Sequence, residues 1–286
     1  MVHLITLIRN NKCKVTYDSK FNIDWTDDEL LNNIIKLDCY GKQLTNLPDL
    51  PNCIKLNCYT NQLTNLPQLP NCTYLDCHSN QLTNLPKLSN CTKLYCSNNQ
   101  LTNLPELPNC IDLFCSKNQL TNLPDLPFCE YLNCNENQLT KLPKLIKCIE
   151  LYCYNNKLIN LPQLPNCTEL YCDENQLTHL PDLPNCRTLY CLNNQLTSLP
   201  ELPYCRYLHC GNNNLSFTTL EEYKKIWKFK RFYLELKYFR LFYKRMLQNL
   251  AKKKYDLHLE LKYSPNLNFY KQDPYYLHFK ESQIKF

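Results

Sequence analysis

Glycine is almost missing from this chain: Gly41 and Gly211 are the only two in 286 residues. Tight turns that need positive φ must therefore use asparagine or be avoided. The glycine-rich loops that cradle phosphates are excluded with it, and nucleotide-binding folds of the P-loop and dinucleotide kinds go too. Long apolar runs are also lacking. No stretch approaches the roughly 18 residues of a membrane span, so no span is expected. Residues 2–8 are apolar but few, include His3 and have no basic residue before them, which does not fit a secretory signal. Histidine is sparse and scattered (His3, His78, His179, His209, His258, His278), and no nucleophile–base motif surrounds any of them. The chain is accordingly read as non-enzymatic, with no catalytic residue, cofactor or metal ligand set assigned.

What is present is repetition. Read from Leu56, the unit is L-N-C-Y-T-N-Q-L-T-N-L-P-Q-L-P-N-C-T-Y, and it restarts at Leu75, Leu94, Leu113, Leu132, Leu151, Leu170, Leu189 and Leu208 after a first copy at Leu37. A fixed period near 20 residues is the mark of a solenoid, in which each unit buries its apolar edge only by stacking on its neighbours. The array is placed at residues 37–217, between an N-terminal cap at 1–36 and a C-terminal segment at 218–286.

The residues Cys53, Leu56, Cys58, Asn61 and Leu63 match the pattern L-x-x-L-x-L-x-x-N-x-L, with cysteine standing where leucine or valine is usual. The unit thus resembles a leucine-rich repeat. Its ending, Leu66-Pro67 and Leu69-Pro70, is similar to the L-P-x-L-P ending of the short repeats in bacterial effector proteins. Cysteine-bearing, asparagine-rich arrays of this kind also resemble those encoded by giant DNA viruses of amoebae. The resemblance covers about two thirds of the chain. It implies an α/β-type, strand-dominated solenoid of about ten coils, a parallel sheet on its concave face, and a protein-binding role. Some of those effectors carry a cysteine-dependent ubiquitin ligase domain after the repeats, but no cysteine follows Cys210 here. Departures from the pattern are Lys42 in place of the first asparagine, Ser89 and Ile146 in place of proline, and Lys157 in the glutamine series.

Within the unit, Leu56 and Cys58 alternate inward on a short strand while Lys55, Asn57 and Tyr59 point outward. Asn61, Asn80, Asn99, Asn118, Asn137, Asn156, Asn175, Asn194 and Asn213 form a structural ladder whose amides bond the backbone of adjacent coils. The prolines make the return path extended. Nineteen of the twenty cysteines occupy two repeat positions, Cys39 to Cys210 and Cys53 to Cys205, and only Cys13 lies outside. Both positions point inward, so the thiols read first as small core residues. The C-x4-C spacing without a histidine series is not that of a zinc site. Disulfides between coils are disfavoured by parallel Cβ vectors. Asn71-Cys72-Thr73, Asn90-Cys91-Thr92 and Asn166-Cys167-Thr168 match the glycosylation sequon and are read as by-products of the repeat. The expected setting is intracellular and cytoplasmic, where thiols stay reduced.

The outward residue between Leu and Cys reads Asp38, Asn57, Asp76, Tyr95, Phe114, Asn133, Tyr152, Tyr171, Tyr190, His209. Tyr95, Phe114, Tyr152, Tyr171 and Tyr190, together with Glu150, Glu169 and Asp173, form the candidate partner-binding strip, because tyrosine and phenylalanine offer large contact area at small entropic cost. The acidic middle coils point to a basic partner. The competing reading is that stacked aromatics only stabilise the sheet.

At the N-terminus, residues 4–8 and 13–17 flank Asn10-Asn11 and predict a hairpin. Thr26 with Glu29 predicts a capped helix running through Leu30, Leu31, Ile34 and Ile35. Residues 219–286 hold sixteen Lys and Arg against seven Asp and Glu, net +9, while the preceding residues carry −3. Thr218 with Glu221 predicts a helix start. An apolar stripe then follows along Phe229, Phe232, Leu236, Phe239, Tyr243, Met246 and Leu250. Leu257, Leu259 and Leu261 predict a short strand, and Ser264-Pro265 and Asp273-Pro274 predict turns. The segment is expected to cap the last coil. The function expected is a protein-interaction scaffold working through the strand face, with an unknown protein as partner, a host protein if the chain is viral. The alternatives are a thiol-rich metal or redox buffer, and a nucleic-acid-associated or self-assembling protein acting through its basic tail; nucleic acid is the less expected ligand, since no recognised motif supports it.

Overall fold

The computed structural model describes residues 2–20, 22 and 24–263. The chain forms two compact units, Met1–Tyr223 and Lys224–Phe286. The first unit opens with α1 (Val2–Arg9), β1 (Lys14–Tyr17), α2 (Asp27–Asn32) and β2 (Ile34–Asp38). Nine three-residue strands follow: β3 (Lys55–Asn57), β4 (Tyr74–Asp76), β5 (Lys93–Tyr95), β6 (Asp112–Phe114), β7 (Tyr131–Asn133), β8 (Glu150–Tyr152), β9 (Glu169–Tyr171), β10 (Thr188–Tyr190) and β11 (Tyr207–His209). The last element is α3 (Leu220–Tyr263). All strands lie in one sheet in chain order. From β2 to β11 each pairs with the next in parallel and in register, so Leu37, Leu56, Leu75 and their successors form one column. Ten parallel strands bound nine coils of nineteen residues.

Three-residue strands suffice because the ladder runs on past them. Cys58 N–H donates to Asp76 O at 2.8 Å and Thr60 N–H to His78 O at 2.9 Å, and the pattern recurs in later coils. The core is built from the leucine and cysteine columns: Leu56, Cys58, Leu63, Leu69 and Cys72 are buried, as are their equivalents. No helix lies between β2 and α3; the proline-rich return path is extended. The residue before each ladder position sits at positive φ, from Gly41 and Thr60 through Lys117, Glu136 and Glu174 to Asn212. Asparagine fills only four of these ten places, so the expectation that asparagine must take the left-handed turns is corrected. Each of Thr60, Lys117, Glu136 and Glu174 is held there by the hydrogen bond its N–H makes to the next coil, which offsets a cost of about 1–2 kcal/mol. In the first coil, where Lys42 replaces asparagine, Gln43 is left-handed as well.

The N-terminal hairpin does not form. Residues 2–9 are helical, with Leu4, Ile5 and Ile8 buried. Asn11, at φ 55°, ends the helix: its N–H donates to Ile8 O at 2.9 Å and Lys12 N–H to Leu7 O at 2.8 Å. That is the left-handed Schellman ending of a helix. β1 instead pairs antiparallel with β2. The Thr26–Glu29 capping box is present, but α2 stops at Asn32. Ile34 and Ile35 belong to β2, where Ile34 pairs with Tyr17. β-branched residues with a strand partner at hand win over helical spacing. Leu30, Leu31 and Ile34 are buried at this end of the array.

At the other end, Thr219 rather than Thr218 caps α3. Its hydroxyl accepts Glu222 N–H at 3.2 Å, and the Glu222 carboxylate accepts Thr218 and Thr219 N–H. Tyr223, 2% exposed, closes the final coil by donating to Pro200 O and accepting Leu202 N–H, both at 2.8 Å. In the second unit α3 runs to Tyr263, so the strand expected at 257–261 is helix. No proline or glycine breaks the run before Pro265, and one more residue on an existing helix costs far less than a new strand. The stripe residues Phe229, Phe232, Phe239 and Tyr243 are on α3 and exposed. The turns expected at 264–265 and 273–274 lie outside the described residues.

Candidate functional site: the exposed sheet face

The sheet presents three outward columns. One precedes the buried leucine (Lys55, Tyr74, Lys93, Asp112, Tyr131, Glu150, Glu169), one follows it (Asp38 to His209), and one lies beyond the cysteine (Tyr40, Tyr59, His78, then Asn135, Tyr154, Asp173). In-register pairing puts like positions of successive coils side by side, about 4.8 Å apart.

Tyr152, Tyr171, Tyr190 and His209 form one continuous stack, with ring centroids 4.6, 4.8 and 4.2 Å apart and planes within 20°. Tyr95 and Phe114 meet edge-on at 5.1 Å, and Tyr95 also takes Tyr74 edge-on at 5.6 Å. The two groups do not join, because β7 places Asn133 between Phe114 and Tyr152. The single aromatic strip read from the sequence is therefore two clusters with a polar break. A third cluster, Tyr40–Tyr59–His78, stacks at 4.8 and 4.5 Å in the column beyond the cysteine. Reading only the column after the leucine missed it, together with Tyr74; the same period-two step taken to the outer columns finds both.

Charge divides along the same line. Asp112 is paired with Lys93 at 2.6 Å and Glu136 with Lys117 at 3.7 Å. Glu150, Glu169 and Asp173 have no ion-pair partner among the described residues. Glu150 and Glu169 are register partners, and the Tyr152 hydroxyl donates to Glu169 at 3.4 Å. Desolvation and then the charge of Glu169 raise the Glu150 carboxyl above its ordinary pKa. Desolvation raises Asp173 too, against the 2.7 Å hydrogen bond that its carboxylate accepts from Leu192 N–H. The Tyr152 phenol is pushed up to about 12 by desolvation and by Glu150 and Glu169. The tyrosine stack thus has, on both flanks, carboxylates that accept hydrogen bonds but have no ion-pair partner among the described residues.

Hydrogen-bond bookkeeping adds a further asymmetry. Among the described residues, three buried side-chain atoms lack a partner: Asp38 Oδ1, Asn57 Oδ1 and Asn135 Oδ1. All three are acceptors and all lie on this face. The first two are on paired positions of β2 and β3. Asn135 is only 5% exposed and sits two residues after the break at Asn133.

The asparagine series is otherwise occupied. Asn156 Oδ1 accepts Leu139 N–H at 3.0 Å, and its amide donates to Cys134 O at 3.0 Å and Cys153 O at 3.2 Å, joining one coil to the one before. The same set recurs from Asn61 to Asn213. Asn156, Asn175 and Asn194 are buried, at 8–9% exposure, and the other six are half-buried. A second series went unread. Asn52, Asn71, Asn90, Asn109, Asn166 and Asn185 each donate from the side chain to a carbonyl twenty residues earlier, at 2.8–3.0 Å. The sequon asparagines Asn71, Asn90 and Asn166 are thus part of the frame.

The cysteines are free thiols, and all but Cys13 are buried. Burial pushes Cys72 up to about 11 and Cys53 and Cys110 to about 12. Thiols held protonated in this way are poor nucleophiles and poor ligands. Among the described residues no group of three or more His, Cys, Asp or Glu is arranged to hold a metal ion, and no helix is long and apolar enough to cross a membrane.

No family model and no curated protein sequence matches the chain. Solved structures do. The leucine-rich effector protein YopM from Yersinia pestis matches at 30% identity and a TM-score of 0.54, over 64% of this chain and 67% of that one. The leucine-rich-repeat domain of a Shigella effector matches at 33% identity and a TM-score of 0.46, over 51% of this chain and 71% of that one. The functional domain of InlJ from Listeria monocytogenes, described as including a cysteine ladder, matches at 24% identity and a TM-score of 0.44, over 68% of this chain and 58% of that one.

Proposed function

This chain belongs to the leucine-rich-repeat family, and on that footing we propose that it is a non-enzymatic interaction scaffold whose exposed sheet face binds a partner protein. One observation carries the reading: the Tyr152–Tyr171–Tyr190–His209 stack, flanked by Glu150, Glu169 and Asp173 with no cation paired to them among the described residues. A stack that served only the sheet has no need of a pair of like charges in register beside it, and Glu169, after desolvation, raises the pKa of the Glu150 carboxyl. A partner bringing positive charge and N–H donors relieves both the charge and the surplus of acceptors. The effector likeness supports a protein as the partner class. The reading also places the chain in a reducing compartment, where the thiol columns persist as thiols.

The test is affinity purification with mass spectrometry, comparing the natural chain with the triple variant Tyr152→Ala/Tyr171→Ala/Tyr190→Ala, circular dichroism checking that the variant is folded. The expected outcome is a protein retained by the first and lost by the second. The same proteins on both would remove the sheet face as the working surface.

A further inference from the structure

The break between the two aromatic clusters has the dimensions of a missing ring. Phe114, Asn133 and Tyr152 occupy the same outward position on β6, β7 and β8, in register. Two strand spacings put Phe114 and Tyr152 about 10 Å apart. Along the stack beyond Tyr152, that distance holds a third ring, at spacings of 4.6 and 4.8 Å. At β7 it holds the short side chain of Asn133, which leaves the face of Tyr152 that is turned away from Tyr171 without a stacked ring. By strand spacing alone, the width is that of one planar group of π-stacking thickness.

The chemistry around the slot selects the planar group. Glu150, the register partner of Tyr131 on β7, has no cation paired to it, and Glu169 stands beside it. Asn135, on the same face, is 5% exposed with its oxygen unpartnered. Its terminal torsion is soft, so a small rotation turns that oxygen toward an incoming donor. Glu150 and the Asn135 oxygen flank the gap on its β8 and β7 sides, and the Tyr152 ring gives it a flat wall. Lysine brings charge without a plane, and a phenol brings a plane without charge. A guanidinium is planar, always charged, carries five N–H donors and stacks on aromatic faces.

We propose that the gap at β7 is a specificity slot for one arginine side chain of the partner protein, its guanidinium stacked on Tyr152 across Asn133 and hydrogen-bonded to Glu150 and Asn135. The proposal rests on the sheet face being the binding surface and adds the residue that the partner inserts.

The test uses the full-length protein and acetylated, amidated tripeptides Gly-Arg-Gly, Gly-Lys-Gly and Gly-Tyr-Gly, titrated while the side-chain amide signals of Asn133 and Asn135 are followed by NMR. The expected result is a saturable shift with the arginine peptide, about fivefold or more weaker with the lysine and tyrosine peptides. Asn133→Tyr, which completes the stack, and Tyr152→Ala, which removes its wall, should each weaken arginine binding by about tenfold. Having two variants guards against one that misfolds. Equal shifts with arginine and lysine, a preference for the tyrosine peptide, no saturation, or unchanged binding in both folded variants would each overturn the slot. The purification experiment separates the two levels. A partner lost in the triple tyrosine variant but kept by Asn133→Tyr overturns the slot and leaves the sheet face standing. Arginine binding at the slot, with no protein dependent on the tyrosines, removes the broader reading and overturns the partner arginine with it. Self-association of the natural chain that Asn133→Tyr abolishes would make the occupant a second copy and overturn a foreign partner.

Discussion

Asparagine does at residue scale what glycine and longer strands do elsewhere. Each ladder side chain offers one acceptor and two donors, and the nineteen-residue offset lets it serve two coils at once. At Asn156 all of these bonds are buried. Truncation to alanine leaves Leu139 N–H without its acceptor, away from water. Asn156→Ala should therefore cost about 3 kcal/mol, read as a lower urea midpoint at unchanged slope. Asn213→Ala, on the half-exposed final coil, should cost less because water replaces part of what is lost. Equal costs would mean that burial does not set the value of the bond. The left-handed residues teach the opposite lesson. Thr60 and Glu136 occupy a conformation that their own chemistry disfavours, so nothing local in the sequence marks them. Only the hydrogen bond to the next coil makes the position intelligible.

A solenoid's elements need ends, and the two ends were unequally legible. The Thr26–Glu29 box is a local signal and appears as read. The hairpin failed because Asn10-Asn11 serves a helix ending as readily as a strand turn, and the burial of Leu4, Ile5 and Ile8 that settles the matter is tertiary. At the far end, the aromatic stripe of α3 drew attention while Tyr223 does the closing in the first unit. Its hydroxyl satisfies both Leu202 N–H and Pro200 O. Tyr223→Phe should lower stability by about 2 kcal/mol, since it orphans a buried N–H while keeping the ring. Thermal unfolding followed by circular dichroism checks this. A melting temperature within experimental error of the natural chain would show that water enters the site.

For the whole molecule the two thiol columns set the response to pH. Their pKa values are raised by burial, to about 11 at Cys72 and about 12 at Cys53, Cys110, Cys129, Cys167 and Cys186. Between the ordinary thiol pKa and these values the unfolded chain has released protons that the folded chain still holds. Stability is therefore complete below about pH 9 and falls as pH rises through that window. Each thiol contributes up to about 1.4 kcal/mol per pH unit, so a handful outweighs a total stability of about 5–15 kcal/mol. The melting temperature should fall steeply above about pH 9. A flat profile to pH 10.5 would mean that water reaches the columns.

The period, the inward leucine and cysteine columns, the asparagine ladder and the extended return path were all legible before any coordinates, because each follows from contacts one repeat apart that every copy makes alike. Near-identity of the units turns a local pattern into a global architecture. Register across coils decided the rest. Asn133's place in the outward column was legible too, but which aromatics stack, which carboxylates lack a cation and which acceptors go unpaired are properties of side chains nineteen residues or more apart. They depend on which neighbours the parallel pairing brings within about 5 Å, and on burial that no single repeat possesses alone.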